Sequence, residues 1–211
     1  MKKVFITIVL LTLAISSFAQ EKDVTKFLGI PVDGTKAEMI AKLKEKGFTS
    51  TVRDKDILEG EFNGNDVHIY IGTNNNKVCR IMVCDKNYIS ETDIKIRFNN
   101  LCHQFKNSNK YISATEFTIP EDEDISYEMS VNNKRYYAMF FQTSKEEYES
   151  EREKLLKNEY LTDEMKTTQH QNILKKIGNK VVWFYISEYY GEYYITMYYD
   201  NELNKANGED L

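Results

Sequence analysis

Apolar and polar positions change period several times along this chain, and each change marks an expected element. In the run TKAEMIAKLKEKGF, beginning at Thr35, Ala37, Ile40 and Leu43 recur at helical spacing. Asp33-Gly34 turns into that helix, Thr35 and Glu38 form a capping box, and Gly47 ends it. Period two then takes over. Residues 48–53, 57–62, 67–71 and 78–84 each have strand length and β-favouring residues. Asn63-Gly64-Asn65 and residues 73–76 supply the turns. Val67, Ile69 and Ile71 share one face of the third strand, and His68 and Tyr70 share the other. The expectation is a helix followed by an antiparallel meander of four strands.

A similar order then begins again. Ser90 and Asp93 resemble a capping box with Asp in place of Glu, and Ile94, Phe98, Leu101, Cys102 and Phe105 follow at helical spacing. Strands are expected over 111–118, 125–131 and 134–143, with Asn132-Asn133 turning the last pair. Residues 144–177 are highly charged and helical in pattern. Ser144 and Glu147 open this segment, Leu161-Thr162-Asp163 breaks it in two, and Met165, Ile173 and Ile177 point inward from the second half. It reads as a solvated helical pair over one sheet face, with a partner-facing insertion as the alternative. A hairpin of residues 181–187 and 192–200 turns around Gly191. The expected fold class is α+β: two tandem helix-plus-antiparallel-meander units in two layers. The units span 20–87 and 88–200, the helical insertion spans 144–177, and 201–211 is a polar tail.

The closing hairpin is the densest aromatic stretch. VVWFYISEYYGEYYITMYYD carries seven tyrosines, one tryptophan and one phenylalanine. Alternation puts Val182, Phe184 and Ile186 on one side of the first strand and Trp183 and Tyr185 on the other. In the second strand Tyr193, Ile195, Met197 and Tyr199 alternate with Tyr194, Thr196 and Tyr198. The aliphatic sets suit a helix-covered core. Trp183, Tyr185, Tyr194 and Tyr198 then share the opposite face, where a ring with one polar end suits a half-wet surface. Two explanations fit them: cross-strand aromatic pairing that stabilises the strands, or a recognition surface of rigid rings.

Composition narrows the partners. The formal net charge is −5, and more negative once Lys2 and Lys3 are removed. That balance disfavours nucleic acid, where clustered basic residues must neutralise phosphate. Those two lysines, the apolar run behind them and Ser17-Phe18-Ala19 have the layout of a secretory signal peptide cleaved after Ala19. The expected localisation is therefore exported, periplasmic or extracellular, with no transmembrane segment in the mature chain. Three cysteines, Cys79, Cys84 and Cys102, cannot all pair within one chain, and they read as buried thiols.

Catalytic signals are few. His68, His103 and His170 are scattered, and no HExxH, GxSxG, P-loop or dinucleotide fingerprint occurs. Glu121-Asp122-Glu123-Asp124 lacks the alternating ligands and glycine of a calcium loop and reads as a solvated turn. Neither enzyme activity nor a cofactor is expected.

Gly29-Ile30-Pro31-Val32-Asp33-Gly34-Thr35, followed by Ile40, Leu43 and Gly47-Phe48, resembles the opening of an αβ repeat of small exported bacterial proteins. The order of helix and four-stranded meander is similar to the β-lactamase-inhibitory protein fold and to the smaller outer-membrane-assembly lipoprotein domain. The resemblance covers 30–84. It implies a sheet face, rich in aromatics, that grips another protein. The inhibitors pair cysteines within each repeat, whereas this chain lacks those pairs and adds the charged helices of 144–177, so inhibition of a β-lactamase is not carried over. The expected function is an exported, non-catalytic protein that recognises a macromolecule, most simply a protein, through the aromatic face. A glycan-binding module of the cell envelope is the alternative, followed by a hydrolase with dispersed carboxylates.

Overall fold

The computed structural model describes residues 23–115, 117–157, 160 and 162–205. The expected signal peptide, 1–19, and the end of the expected tail, 206–211, lie outside the described residues. A small two-stranded sheet comes first, β1 (Lys26–Phe27) with β2 (Ile30–Pro31), closed by Leu28 and Gly29 in the left-handed region. Helix α1 (Lys36–Glu45) follows with its capping box complete: Glu38 N–H donates to Thr35 Oγ1 and Thr35 N–H to Glu38 Oε2, at 3.3 and 2.8 Å. Its buried stripe is Met39 and Leu43, with Ile40 beside them. Ala37 is exposed, because Met39, longer and one turn before Leu43, takes the core position.

Four strands then form a meander: β3 (Thr49–Ser50), β4 (Leu58–Phe62), β5 (Asn65–Asn74) and β6 (Lys77–Asp85). Asn63-Gly64 and Asn75-Asn76 make the tight turns with positive φ at both positions, as two-residue hairpins require. Helix α2 (Glu91–Asn107) buries Ile94, Phe98, Leu101 and Phe105. The second half contributes β7 (Ile112–Ser113), α3 (Ile125–Ser130), β8 (Tyr137–Phe141), α4 (Lys145–Leu156), α5 (Asp163–Gly178), β9 (Lys180–Tyr189) and β10 (Glu192–Asn201). All pairings are antiparallel, and the main sheet has eight strands in the order β3-β4-β5-β6-β10-β9-β8-β7. The protein is thus α+β with an antiparallel sheet. The two meanders meet at their last strands, β6 and β10.

One sheet face is covered. Val67, Ile69, Ile71, Ile81, Val83, Val182, Phe184, Ile186, Ile195, Met197 and Tyr199 are buried in a single core with the apolar stripes of α1 and α2. Phe98 of α2 packs edge-on to Phe184 of β9, with ring centroids 5.3 Å apart. Each such side chain contributes about 1.5–3 kcal/mol by leaving water. Among the described side chains of α4 and α5, Leu155 and Ile177 are buried, outside the main core, and α5 packs on β9, where Val181 is also buried.

Several expected elements differ. Residues 125–131 are not a strand: Ile125–Ser130 is a short helix. Ile125, Tyr127, Met129 and Val131 alternate, yet Ile125 and Met129 also sit one helical turn apart. Asp124 decides the matter by accepting Tyr127 N–H at 2.8 Å as an N-cap. The strand expected over 111–118 shrinks to Ile112–Ser113, because Asn99 of α2 pairs both ways with the Ile119 backbone at 2.9 Å and pulls the chain off the sheet. Met165 is exposed rather than inward, and Ile177 is the buried anchor of α5. Residues 201–205 are not a free tail: Asn201 donates to Val32 O at 2.7 Å, and Asn204 donates to Asp33 Oδ1 and Val78 O at 2.8 Å. Among the described residues no helix is long and apolar enough to cross a membrane.

Candidate functional site

Cross-strand register sets the outer face of the sheet. Trp183 lies opposite Tyr198, Tyr185 opposite Thr196, and Ser187 opposite Tyr194. Tyr198 continues to Met82 and Tyr70, and Thr196 to Cys84 and His68. The four predicted residues Trp183, Tyr185, Tyr194 and Tyr198 therefore share this face, and all four are half-buried.

Three of them form one stack. Trp183 and Tyr198 lie 4.4 Å apart between centroids at 19°, and Tyr185 lies 5.6 Å from Trp183 and 6.0 Å from Tyr198 in near-parallel planes. The Arg80 guanidinium sits over Tyr198, 4.5 Å from the ring centre. Beneath the stack is buried Asp200. Its carboxylate accepts two bonds from Arg80, one from Trp183 Nε1–H at 2.8 Å and one from Lys205 Nζ at 3.0 Å. Burial pushes the Asp200 pKa up, but the hydrogen bonds from Arg80, Trp183 and Lys205 outweigh it and hold the group below the usual range. Desolvation, followed by the hydrogen bond with Tyr185, raises the Tyr198 phenol well above its ordinary value.

Tyr194 belongs to a second group. Tyr88 stacks on Tyr189 at 5.4 Å and meets Tyr194 edge-on at 5.3 Å, and Tyr189 meets Tyr190 edge-on at 4.6 Å. Here exposure is high: 46% for Tyr88, 51% for Tyr189 and 87% for Tyr190. Tyr190 and Gly191 form the two-residue turn of the hairpin at φ 51° and 80°. Sequence reasoning found Tyr194 but missed Tyr88, Tyr189 and Tyr190. Tyr189 has the same parity as Trp183 and Tyr185, so a strand two residues longer would have found it. Tyr88, in the loop before α2, had no such signal.

Beside these tyrosines is a half-open cleft of about 700 Å³, with Tyr185, Ser187 and Tyr194 on one wall and Ser126, Met129 and Arg135 on the other. The α3 wall is held from α2. Glu91 accepts Ile125 N–H at 2.9 Å and the Ser126 hydroxyl at 2.5 Å, and Ser126 also bonds Tyr193 Oη at 2.6 Å. Glu123 of the acidic run receives Lys134 and the Tyr136 hydroxyl, and its own carbonyl accepts from Lys95, so the run braces α3.

The remaining candidates stay apart. His68 faces outward beside Glu59, His103 is exposed on α2, and the His170 side chain lies outside the described residues. Cys79, Cys84 and Cys102 are free thiols. Desolvation raises all three, Cys102 to about 12, which leaves it protonated and a poor nucleophile at neutral pH. Among the described residues no three His, Cys, Asp or Glu side chains converge on a metal-sized site. Compared with known proteins, the chain matches no family model, no curated protein and no solved structure.

Proposed function

We propose that this is an exported, non-catalytic binding protein that grips a protein partner through the tyrosine-bearing outer face of β9 and β10, at the hairpin end. Tyr190 carries the proposal. A tyrosine held at φ 51° costs on the order of 1 kcal/mol against a residue suited to that region, and at 87% exposure almost no packing offsets it. The two other tight turns of the sheet put asparagine at the same position, Asn63 and Asn75. Strain kept at an exposed ring among other exposed rings is what a contact residue looks like. The resemblance of 30–84 to the inhibitory-protein fold points the same way.

A protein suits the face better than a glycan does. Sugars stack on open ring faces, whereas at the hairpin end Tyr88 and Tyr189 turn theirs to each other and meet Tyr194 and Tyr190 edge-on. The test compares two variants of the full chain in pull-downs from envelope extract, read by cross-linking and mass spectrometry. Changing Tyr88, Tyr189, Tyr190 and Tyr194 together to serine is expected to abolish capture of a defined protein that Ile96→Ser, on exposed α2 surface, still captures. Equal capture by both, or binding to a glycan array instead, would overturn the proposal.

A further inference from the structure

Strand β8 leaves β9 before β9 ends. Their pairing stops at Tyr137 opposite Tyr185, and one further bond runs from Ile186 N–H to Tyr136 O at 3.0 Å. Beyond it the chain turns away, with Lys134 N–H bonded to Glu128 O at the end of α3. Strand β9 continues to Tyr189, where β10 is its one strand partner among the described residues. Alternation along a strand then fixes the direction of its peptide groups. Tyr193, opposite Glu188, spends both its N–H and its C=O on Ile89, away from β9. Glu188 is thus a non-hydrogen-bonded partner of β10, and its N–H and C=O point to the side that β8 has left, as does the Ile186 C=O.

These groups open into the cleft of about 700 Å³, lined by Ile186, Ser187, Glu188 and Gly191 along the strand and by Ser126, Met129, Ser130 and Arg135 across from it. Sheets normally protect such an edge with charge, proline or brevity. The two terminal strands here, β3 and β7, are two residues long each. Among the described residues the stretch at Ile186–Glu188 has no such cover, since the Glu188 carboxylate folds back onto Gly191 N–H at 2.6 Å. Arg135 is exposed at the cleft, and among the described residues no carboxylate pairs with it.

We infer that the free edge of β9 takes an extended peptide of a partner protein as an added strand, with an acidic side chain of that peptide meeting Arg135. The inference rests on the protein-binding reading above and deepens it: the partner's backbone is recognised by Ile186 and Glu188, and its side chains by the tyrosines. Unpaired donor and acceptor at strand spacing match a peptide main chain, and Arg135 supplies the charge preference.

Two phage libraries of random linear heptapeptides, one with glutamate and one with lysine fixed at the centre, are panned on the full chain. The glutamate library is expected to yield binders and the lysine library none. Methylating alternate backbone nitrogens of a binder is expected to weaken it by about tenfold or more, the equivalent of one good hydrogen bond. Glu188→Pro, which deletes the cleft-facing N–H and leaves the β9–β10 bonds alone, is expected to do the same, and Arg135→Ala to weaken binding several-fold. Hydrogen exchange at the Glu188 amide should be fast in the free protein and slow with peptide bound. If Glu188→Pro does not fold, the methylated peptides still decide.

No binders in either library would overturn the inference. So would protection of the Glu188 amide that rises with protein concentration alone, which would make a second copy the occupant. Binders lost on changing Tyr185, Tyr189 and Tyr194 to serine but indifferent to Glu188→Pro and to backbone methylation would sink strand addition and leave the aromatic reading standing. The opposite pattern would keep the edge and sink the aromatic reading.

Discussion

At one end of the outer sheet face Trp183, Tyr185 and Tyr198 lie in a stack whose polar atoms are already taken: the indole N–H by Asp200, and the Tyr198 hydroxyl by Tyr185 at 3.5 Å. At the hairpin end Tyr88, Tyr189 and Tyr190 stand in solvent around the half-buried Tyr194, beside a strand edge that has no partner among the described residues. The same residue type on the same face therefore serves two ends. Around Asp200, aromatic density is structure, a lid over a buried carboxylate. At the turn it is surface that contributes little to the core. Of the two explanations offered for the aromatic face, cross-strand pairing describes the Trp183 end, and the recognition proposal concerns the hairpin end alone.

The largest effect that separates the halves belongs to Asp200. Removing a buried carboxylate strands Arg80, Lys205 and the Trp183 N–H, and breaking one side of such a network costs about 3–5 kcal/mol. Asp200→Ala is expected to lose that much in urea titration at pH 7, while a serine at Tyr189 stays within about 0.5 kcal/mol of the parent. The acid limb gives an independent check. Because the folded pKa of Asp200 is depressed, its stabilisation is complete above the unfolded value, near 4, and fades as pH falls through the lower folded value. Asp200→Asn should therefore lower the melting temperature at neutral pH, with the gap to the parent closing as the solution is taken well below pH 4. A constant gap at all pH values would mean that the carboxylate is not the anchor.

A smaller effect tests whether the hairpin end is a built site. Glu91 holds α3 through Ile125 N–H and the Ser126 hydroxyl, so Glu91→Ala removes a charged acceptor from two donors, worth about 1.5–3 kcal/mol. The loss should be local. Hydrogen exchange at Ile125 to Met129 is expected to speed up while β9 and β10 keep their protection. If α3 is unaffected, the cleft wall does not depend on α2 and the proposed surface is not braced by Glu91.

The two halves were unequally legible in the sequence. Period two sorted β9 and β10 well: Val182, Phe184, Ile186, Ile195 and Met197 are buried, and the four predicted rings share the other face. That works because a strand's side-chain alternation is local. The capping box of α1 and the Asn63-Gly64 turn are local as well. What stayed hidden depends on partners far along the chain. Asp200 meets Arg80 across 120 positions, and Ile125 meets Glu91 across 34. Helix α3 is a mixed case: six residues are too few for periodicity to decide, its local cap Asp124 lies at the end of an acidic run, and its bond to Glu91 has no mark in its own sequence. The cleft arises where β8 leaves β9, an event no single strand's pattern records.

One small expected change in stability has the opposite sign. Asn-Gly is the favoured pair for a two-residue hairpin turn, and this sheet uses it at Asn63-Gly64, so Tyr190→Asn should relieve the left-handed strain at the tip of β9 and β10. The gain is expected to be about 0.5–1 kcal/mol, read as a rise in urea midpoint with unchanged slope. Binding to the captured partner should weaken in the same variant. Stability rising while binding falls is the signature of a residue kept for contact at the cost of the fold. If Tyr190→Asn instead destabilised the hairpin, the ring would be packing against Tyr189 to structural purpose, and the two ends of the face would differ in exposure alone.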